Sequence, residues 1–144
     1  MRVSILKSVR KEELHPLKTA LGGWGQSVDM HIYLIRHGQK QRIPGNPPLT
    51  ELGEKQAQAT GDYFASLDLD AIIASPVLRT QQTAKIIADT LNMPIITDKR
   101  LVERAEWYEG PFADFMDEWR KSSQDRNYDP STGDSSLKAG KRIE

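Results

Sequence analysis

Cysteine is absent from the 144 residues. That excludes disulfides, thiolate metal sites and a thiol nucleophile, and it suits a cytoplasmic protein. Histidine is scarce. His15, His31 and His37 are the three present, which argues against a histidine-rich metal centre. No apolar run approaches the roughly 20 residues that span a bilayer, and the N-terminus lacks the apolar stretch of a signal peptide. Net charge is missing too, because twenty Lys and Arg balance twenty Asp and Glu. No global field therefore draws nucleic acid or an anionic membrane, and any anion site has to be local. Neither is expected as a partner, and nothing in the sequence sets an oligomeric state.

What is present fits one domain with a modest core, at 38% hydrophobic residues. Residues 1–29 are basic at first and run into "GGWGQS", which reads as a flexible N-terminal extension. Glu12 and Glu13 argue against a mitochondrial presequence, since such segments are poor in acids. The domain is expected over 30–144. "HIYLI" (31–35), "DAIIAS" (70–75) and "MPIITD" (93–98) read as strands.

Between the strands lie helical patterns. In the first, Thr50 is a cap and Leu52, Ala59, Tyr63 and Leu67 recur at helical spacing. In the second, Ser75 is the expected cap, Pro76 the first residue, and Ala84, Ile87, Ala88 and Leu91 the buried stripe. Strand, helix, strand, helix, strand with short links predicts an α/β fold, a parallel-type sheet with flanking crossover helices. "PFADFMDEWRKSS" reads as a further helix, and a last one opens near Asp134 or Ser135.

Ligands of parallel sheets bind past the carboxyl ends of the strands. Arg36, His37 and Gly38 follow the first strand, Arg79 lies one turn beyond the second, and Glu103 follows the third. Arginine presents a planar fork of donors to phosphate oxygens. A histidine between two arginines resists protonation and keeps a nucleophilic ring nitrogen. A nearby carboxyl group can donate to a leaving alkoxide, and glycine lets the backbone approach a ligand. The set suits phosphoryl transfer through a phosphohistidine, with no metal and no cofactor.

"LIRHG", "PLTELGEKQA", "IIASPVLRTQQTA" and "LVERAEWYEG", in that order, resemble the histidine phosphatase superfamily, whose fold is phosphoglycerate-mutase-like. The resemblance implies that His37 is the nucleophile, that Arg36 and Arg79 bind phosphate, and that Glu103 protonates the leaving group. "STGDSS" resembles the family's Gly-Glu-Ser segment, with Asp134 in place of glutamate.

The departures are specific. No histidine follows His37, whereas the family carries a second one on a later strand. Lys40 stands at the usual Ser or Thr, and Ile43 at a frequent Asn, with Asn46 as a substitute. The C-terminal part of the domain is therefore expected to be missing, which would leave the "HIYLI" strand with an unpaired apolar edge.

The implied function is a metal-independent phosphomonoesterase acting on small phosphorylated metabolites through phospho-His37. The alternative is a truncated, catalytically weak or inactive phosphate-binding fragment. Mutase activity is less favoured, because "ERAEWYEG" departs from the mutase-like "ERHYG". His15 and His31 read as non-catalytic, and Trp107 and Tyr108 as residues that either wall the pocket or pack.

Overall fold

The computed structural model describes residues 4–10 and 29–144, with backbone alone for 4–10, 29 and 30. In chain order the elements are β1 (Ser4–Arg10), β2 (Asp29–Ile35), α1 (Glu51–Phe64), β3 (Ala71–Ala74), α2 (Leu78–Leu91), β4 (Ile95–Thr97), a 3₁₀ turn (Lys99–Leu101), α3 (Phe112–Gln124) and α4 (Ser136–Lys141). Among the described residues, no helix is long and apolar enough to cross a membrane.

The strands form one sheet in the order β2-β1-β3-β4. β3 and β4 pair in parallel, with Ile72 opposite Ile95 and Ala74 opposite Thr97. β1 is antiparallel to both neighbours, with Ser4 opposite Ile35 and Ile5 opposite Ile73. β2, β3 and β4 therefore run the same way, and their carboxyl ends share one edge. Ser4–Arg10 falls within the segment that composition reads as an extension, yet it is a strand in the sheet. It lies between β2 and β3, so β2 stands at the end of the sheet and, among the described residues, its other edge is unpaired, as expected; residues 11–28 lie outside the described residues.

Apolar alternation explains which face is covered. Ile72 and Ala74 are fully buried with Phe64, Ala84, Ile87 and Ala88, and Tyr33, Ile35 and Ile95 pack against that cluster. The Tyr33 and Phe64 rings meet edge to face at 5.1 Å. The alternate residues Ile32, Leu34 and Ile96 are exposed, so helices cover one side of these strands and leave the other open.

The expected stripe of α2 is the one that packs. That of α1 is not: Leu52 and Tyr63 are exposed, and the buried positions are Gly53, Ala57, Gly61 and Phe64. The reason is close approach. A Cβ on Gly53 would lie 2.1 Å from the carbonyl oxygen of Gln39, and one on Gly61 would lie 3.0 Å from Thr90 Oγ1. Small residues thus choose the buried face of α1.

Capping also departs in part. Thr50 caps α1, its Oγ1 accepting from the Gly53 amide at 3.1 Å. For α2 the helix opens at Leu78, and it is Asn46 Oδ1, from a distant loop, that accepts the Leu78 amide at 3.0 Å. Ser75 Oγ reaches only the Val77 amide, at 3.4 Å.

Two glycine substitutions should separate close packing from helix propensity. Gly53→Ala should cost about 1–3 kcal/mol or more by overpacking, despite alanine's better propensity. Gly140→Ala, with nothing within 4 Å of its Cβ, should gain about 0.5–1 kcal/mol. Urea unfolding of the two variants checks the opposite signs.

Candidate active site

Past the end of β2 the chain turns across the N-terminus of α1. Gly38 is buried, and a Cβ there would lie 2.2 Å from the Gly53 carbonyl oxygen. Its amide donates to Thr83 Oγ1 at 3.1 Å, and Thr83 Oγ1 in turn donates to the Arg79 carbonyl at 2.8 Å. Glycine is thus required here by the backbone crossing, and its N–H is engaged by α2. That N–H is therefore not offered to a ligand in this arrangement.

His37, half-buried, has Nδ1 2.6 Å from the Gly38 carbonyl oxygen. A carbonyl only accepts, so Nδ1 carries the proton and, in the neutral ring, Nε2 carries the lone pair.

The loop from 39 to 50 closes as a narrow hairpin. Lys40 bridges Leu49, and the Gln41 amide donates to the Pro48 carbonyl at 3.0 Å. Asn46 is spent on capping α2, so it does not take the place of the family's asparagine at the cavity.

The segment carrying Glu103 begins at the 3₁₀ turn. Asp98 caps that turn, accepting from the Arg100 amide at 2.8 Å. The hydrogen bond from the Arg100 side chain holds the Asp98 carboxyl below the usual carboxylate range. Residues 130–135 then pin the segment: Ala105 bridges Gly133, and the Asp134 amide donates to the Arg104 carbonyl. Asp134 pairs with Arg142 at 2.5 Å, and Arg142 Nη2 donates to the Val102 carbonyl at 2.8 Å. Asp134 is therefore a clasp of this segment and does not line the cavity.

These pieces enclose a cavity of about 840 Å³. Arg36, His37, Gly38 and Glu103 line it, as expected. Arg79 does not. It is fully buried, and Nη2 donates to Glu106 Oε1 at 2.6 Å, while Nε and Nη1 have no hydrogen-bond partner among the described residues. Glu106 is the residue that reaches the cavity, so the arginine stands one layer behind its carboxylate. The three-residue phosphate cluster of Arg36, His37 and Arg79 is thus only partly assembled at the cavity surface.

Sequence reasoning missed Glu106 and Arg42, both at the cavity wall. Their signals are weak, one inside an acidic-aromatic run and one in a proline-rich loop. Trp107 lines the cavity, whereas Tyr108 is exposed and does not. Three cations (Arg36, Lys40, Arg42) and two carboxylates (Glu103, Glu106) line the cavity, and Arg79 holds one of the two carboxylates. A locally positive site thus sits in a chain of zero net charge. Among the described residues, no three His, Asp or Glu side chains cluster as metal ligands would.

Comparison with known proteins gives the chain's family and fold. Residues 32–144 match the Histidine phosphatase superfamily (branch 1). The "Probable phosphoglycerate mutase GpmB" of Enterobacter sp. (strain 638) is 46% identical over 81 residues, covering 51% of this chain and 38% of that protein. The chain thus spans well under half the length of the curated relatives it matches.

Among solved structures, the mycobacterial glucosyl-3-phosphoglycerate phosphatase with inorganic phosphate aligns at a TM-score of 0.63 and 24% identity. That alignment covers 74% of this chain and 55% of the other. The alpha-ribazole phosphatase of Shigella flexneri aligns at 0.61 and 24%, covering 76% and 61%. At such identity the likeness is one of fold.

Glu106→Ala should destabilise the protein by about 3–5 kcal/mol, because it strands a buried guanidinium. Chemical denaturation checks this. A loss below about 1 kcal/mol would mean that Arg79 finds water or another acceptor.

Proposed function

Because the chain belongs to the histidine phosphatase superfamily, we propose that it binds small phosphomonoesters in this cavity and hydrolyses them through phospho-His37. The observation that carries the reading is the Nδ1 hydrogen bond to Gly38, which orients Nε2 as the lone-pair nitrogen of a ring at the cavity wall. Arg36 beside it supplies fixed positive charge for phosphate oxygens.

In the first step Nε2 attacks phosphorus as the bond to the leaving oxygen breaks, and Glu103 gives its proton to the departing alkoxide. In the second, water attacks the phosphohistidine and the Glu103 carboxylate takes its proton. Orthophosphate leaves, and the neutral imidazole and the protonated acid are restored. The steps use protein groups and water alone. Small phosphorylated metabolites in the cytoplasm fit this chemistry. The fold is shared with phosphatases of glucosyl-3-phosphoglycerate and alpha-ribazole, while the sequence relative is named a mutase.

A second reading, a weakly active or inactive phosphate-binding protein, is favoured by one observation: Arg79 is engaged by Glu106. Losing one preorganised donor typically costs about 10²–10³ in rate.

Hydrolysis of p-nitrophenyl phosphate, with and without EDTA, tests the first reading. Turnover should survive the chelator and disappear in His37→Ala, with acid-labile phosphate trapped on the wild-type chain. Turnover that persists in His37→Ala removes the mechanism. Saturable orthophosphate binding with no turnover decides for the second reading.

A further inference from the structure

Helix α3 has an apolar face that the core does not use. Phe112, Phe115, Met116 and Trp119 share that face by helical spacing, yet the one buried residue of α3 is Ser122. All four side chains line the cavity instead, next to Trp107. The rings run in sequence. Trp107 meets Phe112 edge-on at 5.1 Å, Phe112 lies 6.0 Å from Phe115, and Phe115 lies 6.2 Å from Trp119. The Arg104 guanidinium stacks 4.3 Å over Trp119, which fixes the far end of the row.

The cavity is thus divided by chemistry. Its cations, Arg36, Lys40 and Arg42, come from one short stretch of the strand-end loop, whereas α3 contributes no charged residue to the wall. Its volume, about 840 Å³, is in the range that encloses a drug-sized organic ligand and far exceeds what orthophosphate needs. Ring edges and faces at these spacings attract another aromatic ring. They offer nothing to a second carboxylate.

We propose that the site selects phosphomonoesters of apolar, preferentially aromatic alcohols, with the phosphate at Arg36 and His37 and the alcohol moiety against the ring row of α3. This rests on the phosphate site proposed above and deepens it. The alternative occupant of the wall, a carboxylate-bearing phosphoester, would have to leave the cationic loop and desolvate its charge against rings, which opposes binding.

Titration calorimetry with three non-hydrolysable probes tests the proposal on the full chain: methylphosphonate, benzylphosphonate and 2-carboxyethylphosphonate. Benzylphosphonate should bind about 10- to 100-fold more tightly than methylphosphonate, the ratio expected from burying one ring. In Phe115→Ala the ratio should fall to about threefold or less, and Phe115→Tyr should restore it, with circular dichroism confirming that each variant folds. Equal affinity for the methyl and benzyl probes overturns the selectivity alone, and so does an undiminished ratio in folded Phe115→Ala. Tighter binding of the carboxyethyl probe than of the benzyl probe assigns the wall to acidic substrates and overturns it too. If none of the three binds, the phosphate site itself is wrong and this inference falls with it.

Discussion

The loop that carries His37 and the first turn of α1 cross backbone to backbone, and much of the site's geometry depends on that contact. Neither partner tolerates a Cβ: one on Gly38 would meet the Gly53 carbonyl, and one on Gly53 the Gln39 carbonyl. With no side chains between them, the chain leaving β2 bends directly over the helix N-terminus. Thr50 then ties both sides, accepting from the Gly53 amide and donating to the Gln39 side chain at 2.9 Å. The imidazole follows from this. Its Nδ1 hydrogen bond is to the carbonyl of Gly38, so whatever holds that peptide also sets the ring's tautomer and direction.

The peptide on the other side of Gly38, which carries its N–H, is held by α2, and there the site joins the buried charge. Thr83 takes the Gly38 amide and gives its own proton to the Arg79 carbonyl, while the Arg79 side chain holds Glu106. A guanidinium out of water needs a carboxylate close by, since desolvating either charge alone costs several kcal/mol. The pair satisfies that need but leaves Nε and Nη1 without hydrogen-bond partners among the described residues. Helix α2 therefore braces the histidine loop with one side chain and a wall of the cavity with another, one turn apart.

The repeating parts of this fold were legible in the sequence, and the contacts between parts were not. β-branched runs gave β2, β3 and β4, and the Ala84–Ala88 stripe gave the packed face of α2, because each depends on local pattern. The face of α1 was not legible because its large residues do not mark the interior. There it is glycine and alanine that permit close approach, a property of the neighbour rather than of the helix. Asn46 capping α2 across 32 positions, and Ser4–Arg10 entering the sheet, are equally non-local. At the site, Arg36, His37 and Glu103 were legible because strand ends in a parallel sheet share an edge. Glu106 was not, since its meaning comes from Arg79, 27 residues earlier.

A neutral chain can still gather anions if charges are sorted in space, and here the sorting is done by short segments. Residues 36–42 deliver three cations to the cavity within one turn of chain, where low-dielectric walls on the α3 side concentrate their field. The carboxylate of Glu106 would cancel part of that field if it stood alone, but Arg79 behind it returns the charge. An apolar alcohol seated against the aromatic row would displace water from that side of the cavity and so strengthen the cations' pull on a dianion. Affinity for phosphate and affinity for an apolar alcohol are in this sense not independent properties of the site, because the group that contacts the rings also raises the field at the phosphate.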